Sequence, residues 1–548
     1  MSIPVLSVRG LTVDLPPSGD RPHAVSDISF DIHANEIVCV VGESGSGKSV
    51  TAFTTMGLLP RALRPSTGEI LFEGTDLLRL KQREYARLRG NRMAMIFQEP
   101  MTALNPCFTV GTQIEEVFAA HTMISRAERK ARTLALIEEV KLPEPERIYS
   151  SYPHQLSGGQ RQRIVIALAL AMDPKLLIAD EPTTALDVTT QAQILSMFAT
   201  LKSTHNAGIL FVTHDFDVVA EIADRVVVMQ KGRIVEQGTA EEVLNRPRHA
   251  YTRQLIDAVP RRRPEAAQNT DYSTRPIALN VTALEKSYDI PATPTRPARK
   301  FHAVYPTDFE VRQGETLGIV GESGSGKTTL VRSLIRLIDP NGGSIWIGPN
   351  NFAVGSQRSL RPLRKDIQIV FQDPYGSLNP RRLIGEQLVG APINFGESRE
   401  LAWQRARELM RIVRLDEDAL YRYPSEFSGG QRQRICIARA LMVQPKILIA
   451  DEAVSALDVS VQKEVLQLLA DIKARMGLTM LFITHDLRVA AQVSDNIIVM
   501  SKGRIVERGT PDDVFGNPQD DYTKLLLRAM PGRGWDVPDL NALPPAEV

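Results

Sequence analysis

Short apolar runs that end at a glycine-rich loop or a carboxylate recur in both halves of the chain. In the first half they are Ile37–Val41, Lys175–Asp180 and Gly208–Asp215, and in the second half the series begins again at Thr316–Val320. Apolar runs of this length without alternation are typical of strands buried on both faces of a parallel sheet. Helical patterns follow the first run of each half, so the sequence predicts an α/β fold.

Other segments show different periodicities. Leu6–Leu15 alternates between apolar and polar residues, which predicts antiparallel strands ahead of the first buried run. Arg225–Gly238 predicts a closing hairpin, whereas Glu115–Val140 has helical periodicity. Each half is therefore expected to combine a mostly parallel core sheet with an antiparallel β subdomain and a helical subdomain.

The two halves are repeats of one another. Equivalent positions are 279 residues apart at Gly42 and Gly321, and 271 residues apart from Ser157 and Ser428 onward. The first half is therefore a few residues longer between these two points, and the halves stay in register afterwards.

The repeat predicts two domains joined by a linker. Residues 261–276 are aperiodic and rich in Pro, Arg and Gln, which favours a linker with Arg261, Arg262 and Arg263 solvated over a headgroup or partner contact. The last residues contain too much Pro and Gly to predict order. The expected order is a first domain at 1–260, the linker at 261–276, a second domain at 277–530 and a flexible tail at 531–548.

Composition excludes some classes of function. The 548 residues carry 65 basic and 64 acidic side chains, a net charge of +1 that gives no general attraction to nucleic acid. The three cysteines, Cys39, Cys107 and Cys436, have no disulfide or metal-binding spacing, which suits a reducing cytoplasm. The start of the chain shows no secretory signal pattern, and the longest apolar runs are too short to span a bilayer. Any membrane role is therefore expected to come through partner subunits.

The glycine-rich loops carry the clearest chemistry. Gly42–Ser49 and Gly321–Thr328 both fit the pattern G-x-x-x-x-G-K-S/T. In this pattern backbone N–H groups surround phosphates, the lysine reaches the β- and γ-phosphates, and the hydroxyl ligates Mg²⁺. The residues predicted to bind ATP here are Gly42, Ser44, Gly45, Gly47, Lys48 and Ser49, with Gly321, Ser323, Gly324, Gly326, Lys327 and Thr328.

Two further pairs of motifs fit hydrolysis of the γ-phosphate. Asp180-Glu181 and Asp451-Glu452 each end an apolar run, where the Asp can hold Mg²⁺ and the Glu can accept a proton from water. His214 and His485 each close another apolar run and are candidate polar contacts for the γ-phosphate. An isolated acidic pair or histidine is more often structural, but two copies in the same register favour catalysis.

A Ser-Gly-Gly turn precedes a helical segment in each half. Ser157 and Gly159 lie in the turn of the first half, and Ser428 and Gly430 lie in that of the second. A hydroxyl and bare amides at a helix N-terminus suit a γ-phosphate, although such a serine can also be an ordinary N-cap.

Taken together, these motifs resemble the nucleotide-binding domains of ABC transporters over nearly the whole chain. The resemblance implies that two domains pack head to tail, so that Lys48 shares an ATP site with Ser428, and Lys327 with Ser157. It also implies Glu181 and Glu452 as catalytic bases, His214 and His485 as switches, and Asp187 and Asp458 as the residues that couple the sites. The implied Mg²⁺ ligands are Ser49, Gln98 and Asp180 in the first half and Thr328, Gln372 and Asp451 in the second.

Longer motifs are similar to the dipeptide, oligopeptide and nickel importer branch. They include Phe97–Pro106 and Phe371–Pro380, and the closing runs Tyr251–Pro260 and Tyr522–Pro531. The resemblance implies a fused ATPase of the kind found in peptide, microcin-C-like and glutathione importers, bound peripherally at the cytoplasmic face of a bacterial inner membrane. It further implies two membrane permease subunits, contacted near Gln98–Pro106 and Gln372–Pro380, and a periplasmic solute-binding protein.

The sequence departs from the family pattern in three features. The residue that stacks on adenine is Tyr288 in the second half, but Leu15 or His23 occupies the corresponding region of the first. Ala453 and Val454 replace the Pro-Thr of the first half, which predicts a change of loop stiffness rather than lost hydrolysis. No Cys follows Cys436, so no iron–sulfur centre is expected.

The function predicted is an ATPase that energises solute import, most simply of peptides. Nickel, glutathione and opine- or sugar-like solutes stay open, because this chain need not touch the solute. Two other classes fit less well. A twin ATPase acting on ribosomes usually has a long charged helical linker, and a DNA-repair ATPase would need zinc-binding cysteine clusters.

Overall fold

The structure is a computed structural model that describes residues 3–17, 21–99, 103–184, 186–261, 271–292, 297–455, 457–540, 544 and 546. Backbone contacts group the chain into two compact units. The first comprises Met1–Leu186, Thr190–Val259 and Pro531–Val548, and the second comprises Asp187–Thr189 and Pro260–Met530. Such a grouping does not define domain limits, so the predicted boundaries stay predictions.

Each half contains ten strands within the described residues. In the first half these are β1 (Leu6–Asp14), β2 (His23–Ile32), β3 (Ile37–Val41), β4 (Arg64–Phe72), β5 (Thr75–Asp76), β6 (Met93–Ile96), β7 (Leu176–Asp180), β8 (Gly208–Val212), β9 (Arg225–Gln230) and β10 (Arg233–Thr239). In the second half they are β11 (Ile277–Ile290), β12 (Arg299–Arg312), β13 (Thr316–Val320), β14 (Gly342–Ile347), β15 (Asn350–Asn351), β16 (Ile367–Val370), β17 (Ile447–Asp451), β18 (Thr479–Thr484), β19 (Asn496–Ser501) and β20 (Arg504–Gly509).

Most α-helices also correspond between the halves; within the described residues, one short helix in each half, Pro145–Tyr149 in the first and Pro374–Ser377 in the second, has no α-helical counterpart. Those of the first half are α1 (Lys48–Thr55), α2 (Gln82–Leu88), α3 (Val110–His121), α4 (Arg126–Glu139), α5 (Pro145–Tyr149), α6 (Gly158–Leu170), α7 (Val188–Thr204), α8 (Phe216–Ile222), α9 (Ala240–Asn245) and α10 (Ala250–Asp257). Those of the second half are α11 (Lys327–Leu334), α12 (Gln357–Leu360), α13 (Pro374–Ser377), α14 (Ile384–Asn394), α15 (Arg399–Ile412), α16 (Gly429–Leu441), α17 (Val459–Met476), α18 (Leu487–Val493), α19 (Pro511–Gly516) and α20 (Asp521–Arg528).

Each half builds a six-stranded core sheet from its apolar runs. The order in the first half is β10-β9-β3-β8-β7-β6, and the order in the second half is β16-β17-β18-β13-β19-β20. All neighbours pair in parallel except the closing hairpins β9–β10 and β19–β20. Every residue of β3, β7 and β8 is buried, as expected for strands covered on both faces. The predicted α/β fold with a mostly parallel core is confirmed.

A second, antiparallel sheet has the order β2-β1-β4-β5 in the first half and β12-β11-β14-β15 in the second. In the first half its apolar face packs on the core sheet in one cluster that includes Leu6, Ile28, Val38 and Ile178. The equivalent cluster of the second half includes Leu279, Ile319 and Ile449.

The helical subdomain differs in one detail from the periodicity at Glu115–Val140. The structure has two helices there, α3 and α4, rather than one continuous helix. Thr122 is extended (φ −137°, ψ 164°), and the Ser125 side chain accepts a hydrogen bond from the Glu128 N–H to start α4. The N-cap signal of Ser125 therefore breaks a pattern that apolar spacing alone would continue.

The ends of the halves make contacts that the sequence does not suggest. In the linker, the Tyr272 ring lies 4.8 Å from the Arg275 guanidinium and 5.8 Å from Lys473 Nζ. In the tail, the Gly532 N–H donates to Glu221 Oε2 at 3.1 Å, and Trp535 Nε1 donates to Asn245 Oδ1 at 3.0 Å. Arg262 and Arg263 of the predicted basic cluster lie outside the described residues, and the flexibility of the tail stays a prediction.

Candidate active sites

The first glycine-rich loop joins β3 to α1 in a shape that only glycine allows at two positions. Gly42 has φ 148°, and a Cβ there would lie 2.2 Å from the Met229 carbonyl oxygen. Gly47 has φ 105° and serves as the N-cap of α1, so that Lys48 is the first helical residue. The loop therefore leads directly into the N-terminus of α1, whose positive helix dipole end is suited to bind phosphate.

The lysine of this loop is held by the loop itself. Lys48 is only 6% exposed, and its Nζ donates to the carbonyl oxygens of Gly42 at 2.6 Å and Glu43 at 2.9 Å. Ser44 and Gly45 are exposed, whereas the buried Ser46 Oγ has no hydrogen-bond partner among the described residues. A buried hydroxyl without a partner beside a confined cation fits an anionic ligand at this loop.

The second loop has the same geometry. Gly321 and Gly326 have φ 149° and 105°, and Lys327, 4% exposed, donates to the carbonyl oxygens of Gly321 and Glu322 at 2.7 and 2.9 Å. Ser325 Oγ is also buried without a partner within the described residues. Ser323, Gly324 and Thr328 are exposed, as residues facing a ligand would be.

In the first half three side chains meet the carboxylate of Glu181. Gln98 Nε2 donates to Glu181 Oε2 at 2.9 Å, and Thr184 Oγ1 donates to the same oxygen at 3.1 Å. His214 Nδ1 lies 3.1 Å from Glu181 Oε1. Burial raises the pKa of the Glu181 carboxyl, but the hydrogen bond and charge of His214, helped by Lys48 and Thr184, outweigh it and leave the pKa below its ordinary value.

The second half brings together the equivalent residues. Gln372 Nε2 donates to Glu452 Oε2 at 2.8 Å, and His485 Nδ1 lies 3.5 Å from the same oxygen. Burial raises the pKa of Glu452, but His485 and Lys327 lower it by more, so the net pKa is lowered. The pKa of His485 is raised overall, because its hydrogen bond and charge interaction with Glu452 outweigh the opposing effect of burial.

Both glutamates occupy an unusual backbone conformation. Glu181 has φ 47° and Glu452 has φ 48°, in the left-handed region that costs a non-glycine residue about 1 kcal/mol. Each backbone N–H still donates to a carbonyl oxygen of the neighbouring strand at 2.9 Å, Glu181 to Val212 and Glu452 to Ile483. The turn therefore leaves the strand pairing intact while it aims the carboxylate towards the Gln and His side chains.

The aspartates precede these glutamates at the buried ends of β7 and β17. Asp180 is 4% and Asp451 5% exposed. Burial raises the pKa of both carboxyls to about 6, against the hydrogen bond from Ser49 at Asp180. Ser49 Oγ donates to Asp180 Oδ1 at 3.0 Å. These hard oxygen donors, with the Gln98 amide, fit the ligands that Mg²⁺ prefers.

The serine of each Ser-Gly-Gly turn is an N-cap. Ser157 Oγ accepts from the Gln160 N–H at 3.3 Å at the start of α6, and Ser428 does the same with Gln431 at the start of α16. A Cβ on Gly159 would lie 2.4 Å from the Thr190 side chain, and one on Gly430 would lie 2.4 Å from that of Val461. The N-cap interpretation is therefore correct, and it leaves the turn amides at an exposed helix N-terminus.

The predicted adenine-stacking positions differ between the halves. Tyr288 lies in β11, is 39% exposed, and has Lys286 Nζ 5.1 Å from its ring centre. In the first half a cavity of about 570 Å³ is lined by residues that include Leu15 and His23. His23 Nδ1 is 2.8 Å from Asp14 Oδ1, so this ring is engaged with a carboxylate.

The segments predicted to meet membrane subunits present exposed aromatic rings. Phe108, just beyond the first segment, is 46% exposed, and Tyr375 in the second is 63% exposed. Pro100, Met101 and Thr102 lie outside the described residues.

Sequence reasoning missed the side chains that shape these segments. Gln113 Nε2 donates to the Asn105 and Phe108 carbonyls at 3.0 and 3.1 Å, and Gln387 does so to Asn379 and Arg382 at 3.1 and 2.9 Å. The signal was available, because both glutamines lie eight residues after an Asn-Pro in each half. Thr184 was also missed, although it belongs to the repeated motif that follows Glu181.

Comparison with known proteins places these sites in a family. The model described as "ABC transporter" matches residues 25–184 and 304–455, more than half of the chain. The chain belongs to the ABC transporter family. A second model, "Oligopeptide/dipeptide transporter, C-terminal region", matches residues 235–286 and 506–543 of this ABC protein.

Relatives of known name align with almost the whole ABC chain. The peptidoglycan transport ATP-binding protein YejF of Agrobacterium fabrum is 48% identical over 96% of this chain and 96% of its own length. The glutathione import ATP-binding protein GsiA of Escherichia coli K12 is 44% identical over 96% of this chain and 89% of its own length. A solved dimeric ATP-binding cassette in a post-hydrolysis state, bound to ADP and Pi, is 28% identical, covers 42% of this chain and 98% of its own, and has a TM-score of 0.39.

These findings confirm the predicted resemblance and the predicted activity. The chain is an ABC ATPase with two nucleotide-binding cassettes that binds and hydrolyses ATP and energises solute import. An import ATPase of this family works with membrane permease subunits. Within the part of the chain that the structure describes, no helix is long and apolar enough to cross a membrane.

Proposed function

We propose that this chain drives the import of peptides or peptide-containing solutes by hydrolysing ATP at two composite sites. Each site would combine the phosphate loop of one cassette with the Ser-Gly-Gly turn of the other, pairing Lys48 with Ser428 and Lys327 with Ser157. The observation that carries the catalytic part is the convergence of Gln and His on a glutamate in both cassettes, at Glu181 and at Glu452.

The glutamate is suited to act as the general base. The lowered pKa keeps the Glu181 carboxylate ionised at neutral pH, so it can accept a proton from an attacking water. His214 would orient this carboxylate through Nδ1, 3.1 Å from Glu181 Oε1, and would contact the γ-phosphate. Lys48, confined by two carbonyl groups, would neutralise charge on the β- and γ-phosphates. Glu452, His485 and Lys327 would have the same roles, and Tyr288 would stack on adenine.

A magnesium ion would be held by Ser49, Asp180 and Gln98 in the first cassette and by Thr328, Asp451 and Gln372 in the second. Because Gln98 Nε2 donates to Glu181, the amide oxygen is the atom that Gln98 would offer to a metal. Bound there, Mg²⁺ would supply charge neutralisation for the phosphate oxygens. Asp187 and Asp458 would couple the two sites.

Glutamine substitutions test the catalytic assignment. Glu181→Gln and Glu452→Gln keep the shape of the side chain but remove its basicity, so each should reduce ATP turnover by about tenfold or more while ATP binding survives. Turnover and nucleotide binding would be measured on the same purified protein. Full turnover in either variant would exclude that glutamate as the base.

The substrate class rests on the C-terminal region and on the relatives. The region matched to oligopeptide and dipeptide transporters occurs in both halves, and the named relatives handle glutathione and peptidoglycan, which both contain peptide chains. Nickel and opine- or sugar-like solutes have no comparable support. The exposed Phe108 and Tyr375 support docking of permease subunits near Gln98–Pro106 and Gln372–Pro380, which would hold the chain at the cytoplasmic face of the bacterial inner membrane.

Copurification tests the partners and the substrate together. The tagged chain, solubilised gently from its native membranes, is expected to bring down two integral permease subunits. The periplasmic solute-binding protein of the same system would then be screened against peptides, glutathione and nickel, and a peptide ligand is expected. Recovery with ribosomes and without membrane subunits would overturn the transport proposal.

A further inference from the structure

A tyrosine from the C-terminal region of each half reaches the phosphate loop of the same half. The Tyr251 hydroxyl accepts a hydrogen bond from the Glu43 N–H at 3.1 Å, and the Tyr522 hydroxyl accepts one from the Glu322 N–H at 3.1 Å. Both tyrosines lie within the residues matched to the oligopeptide/dipeptide transporter C-terminal region, outside those matched to the general ABC cassette. The two contacts span 208 and 200 residues of sequence.

The residue that each tyrosine contacts also controls the loop lysine. The Glu43 carbonyl accepts from Lys48 Nζ at 2.9 Å and from the Ser46 N–H at 3.1 Å. The Glu322 carbonyl accepts from Lys327 Nζ at 2.9 Å and from the Ser325 N–H at 3.1 Å. The tyrosine hydroxyl therefore bonds the N–H of a residue whose carbonyl oxygen bonds both the loop lysine and the loop serine N–H.

Each tyrosine is fixed in place by the helix that carries it. Tyr251 is 4% exposed, and its own N–H donates to His249 Nδ1 at 3.1 Å at the start of α10. The Tyr522 N–H donates to Asp520 Oδ1 at 2.8 Å at the start of α20. Leu526 of α20 packs in the same cluster as Val320, the last residue of β13 before the loop. The hydroxyls are thus held at a fixed distance from the loops.

We propose that Tyr251 and Tyr522 are positioning residues that preset the two phosphate loops for ATP through the backbone of Glu43 and Glu322. The C-terminal region would thereby be part of the nucleotide site in this branch of the family. Without the hydroxyl, the partly buried N–H of Glu43 or Glu322 loses this acceptor, so the loop relaxes and nucleotide binding must restore it. Burial raises the pKa of Tyr522 to about 12, so its hydroxyl stays protonated throughout the neutral range.

Phenylalanine substitutions isolate the hydroxyls. In the full chain, Tyr251→Phe combined with Tyr522→Phe is expected to raise the Kd and the KM for Mg²⁺–ATP about fivefold, the loss given by one hydrogen bond per site. The kcat at saturating ATP should change less than twofold, because bound nucleotide re-forms the loop. Each single variant should weaken ATP binding at one of the two sites, seen as one of two components in the titration, and leave binding at the other site unchanged. Tyr421→Phe, an exposed tyrosine stacked on Trp403, is the matched control.

A second measurement does not depend on catalysis. Amide hydrogen exchange of peptides covering Gly42–Ser49 and Gly321–Thr328, measured without nucleotide, should be faster in the double variant and return to wild-type protection when Mg²⁺–ATP saturates it. Unchanged Kd, KM and loop exchange would overturn the inference. A fall in thermal stability with unchanged Kd would also overturn it, since the tyrosines would then serve folding alone.

The inference rests on the proposed role of the phosphate loops, and a lysine variant separates the two. Lys48→Ala combined with Lys327→Ala should abolish Mg²⁺–ATP binding. If that variant still bound ATP, the assignment of the loops would fail. If it lost ATP while the tyrosine variants behaved as wild type, only the role of the tyrosines would fail.

Discussion

The glutamates of the two cassettes have the same backbone and different side-chain support. Both have φ near 48°, and both receive the Nε2 of a glutamine. In the first cassette the Thr184 hydroxyl also donates to the carboxylate of Glu181. In the second, Ser455 stands at the equivalent position and its hydroxyl donates to the backbone carbonyl of Glu452 at 3.0 Å. The fold fixes where the carboxylate is, whereas local substitutions decide how firmly it is held.

The aspartates differ in the same way. Ser49 donates to Asp180, but within the described residues no hydrogen bond joins Thr328 to Asp451. Burial raises the pKa of Asp451, and the charge of Arg332 opposes this rise. The equivalent residue of the first cassette, 279 positions earlier, is the uncharged Phe53. Two sites with the same motif residues therefore have different electrostatic surroundings, so equal rates at the two sites do not follow from their motifs.

Removing the extra hydroxyl should have the largest effect within this comparison. Thr184→Val keeps the shape of the side chain but removes one of the hydrogen bonds that lower the pKa of Glu181, so the carboxylate becomes less well oriented. We expect ATP turnover at saturating ATP to fall about threefold, with the Kd for ATP unchanged. Steady-state kinetics and nucleotide titration of the purified chain measure the two quantities.

Ser455→Ala is the matched variant in the second cassette. Because the Ser455 hydroxyl bonds the backbone and not the carboxylate, turnover should change by less than about 1.5-fold. An equal fall in the two variants would show that both hydroxyls act through the stiffness of the loop, and the contrast between the cassettes would be wrong.

Much of the fold and of the site followed from sequence because the signals are local. The uninterrupted apolar runs of β3 and β7 predicted buried strands, and the motif at Gly42–Ser49 predicted a glycine-rich loop, whose Gly42, Gly45 and Gly47 have positive φ in the structure. The Asp-Glu pairs and the histidines were found by their register, since both halves repeat the same spacing. In the structure they meet because the ends of parallel strands lie at one edge of a sheet.

The features that escaped prediction depend on contacts between distant residues or on a single cap. Tyr251 lies 208 residues from Glu43, and no spacing rule connects a helix near the end of a half with the loop near its start. The Gly532 N–H reaches Glu221 over 311 residues. The break between α3 and α4 depends on the Ser125 cap, which periodicity does not detect. Sequence patterns predict which face of an element is buried and where a motif lies, whereas tertiary packing decides which distant residues come into contact.

A second contrast lies where the helical subdomain meets the long helix of each half. In the first cassette His205 bridges two carboxylates, with Nε2 2.9 Å from Glu139 and Nδ1 2.6 Å from Asp173. The residue equivalent to His205 in the second cassette is Met476, and there Arg414 pairs with Asp471 at 3.0 Å. Arginine stays charged at any pH at which the protein is folded, but histidine does not.

The smallest expected effect is a pH dependence confined to the first cassette. Burial lowers the pKa of His205, but Glu139 and Asp173 raise it by more, so the folded protein holds this proton more tightly than the unfolded chain. The resulting stability is fully present below the ordinary histidine pKa of about 6.5 and is lost as the pH rises through the raised value. Since both carboxylates are substantially exposed, it should amount to about 0.5 kcal/mol.

The test compares His205→Met with the wild type, because the substitution installs the residue of the second cassette. The difference in the free energy of unfolding between the two proteins should be larger at about pH 6 than at about pH 8. It can be measured by unfolding each protein in urea and monitoring the first cassette by its susceptibility to proteolysis. Other titrating groups cancel in this double difference. Met476→Leu should show no such change. If the difference between wild type and His205→Met were the same at both pH values, the histidine bridge would contribute no pH-dependent stability.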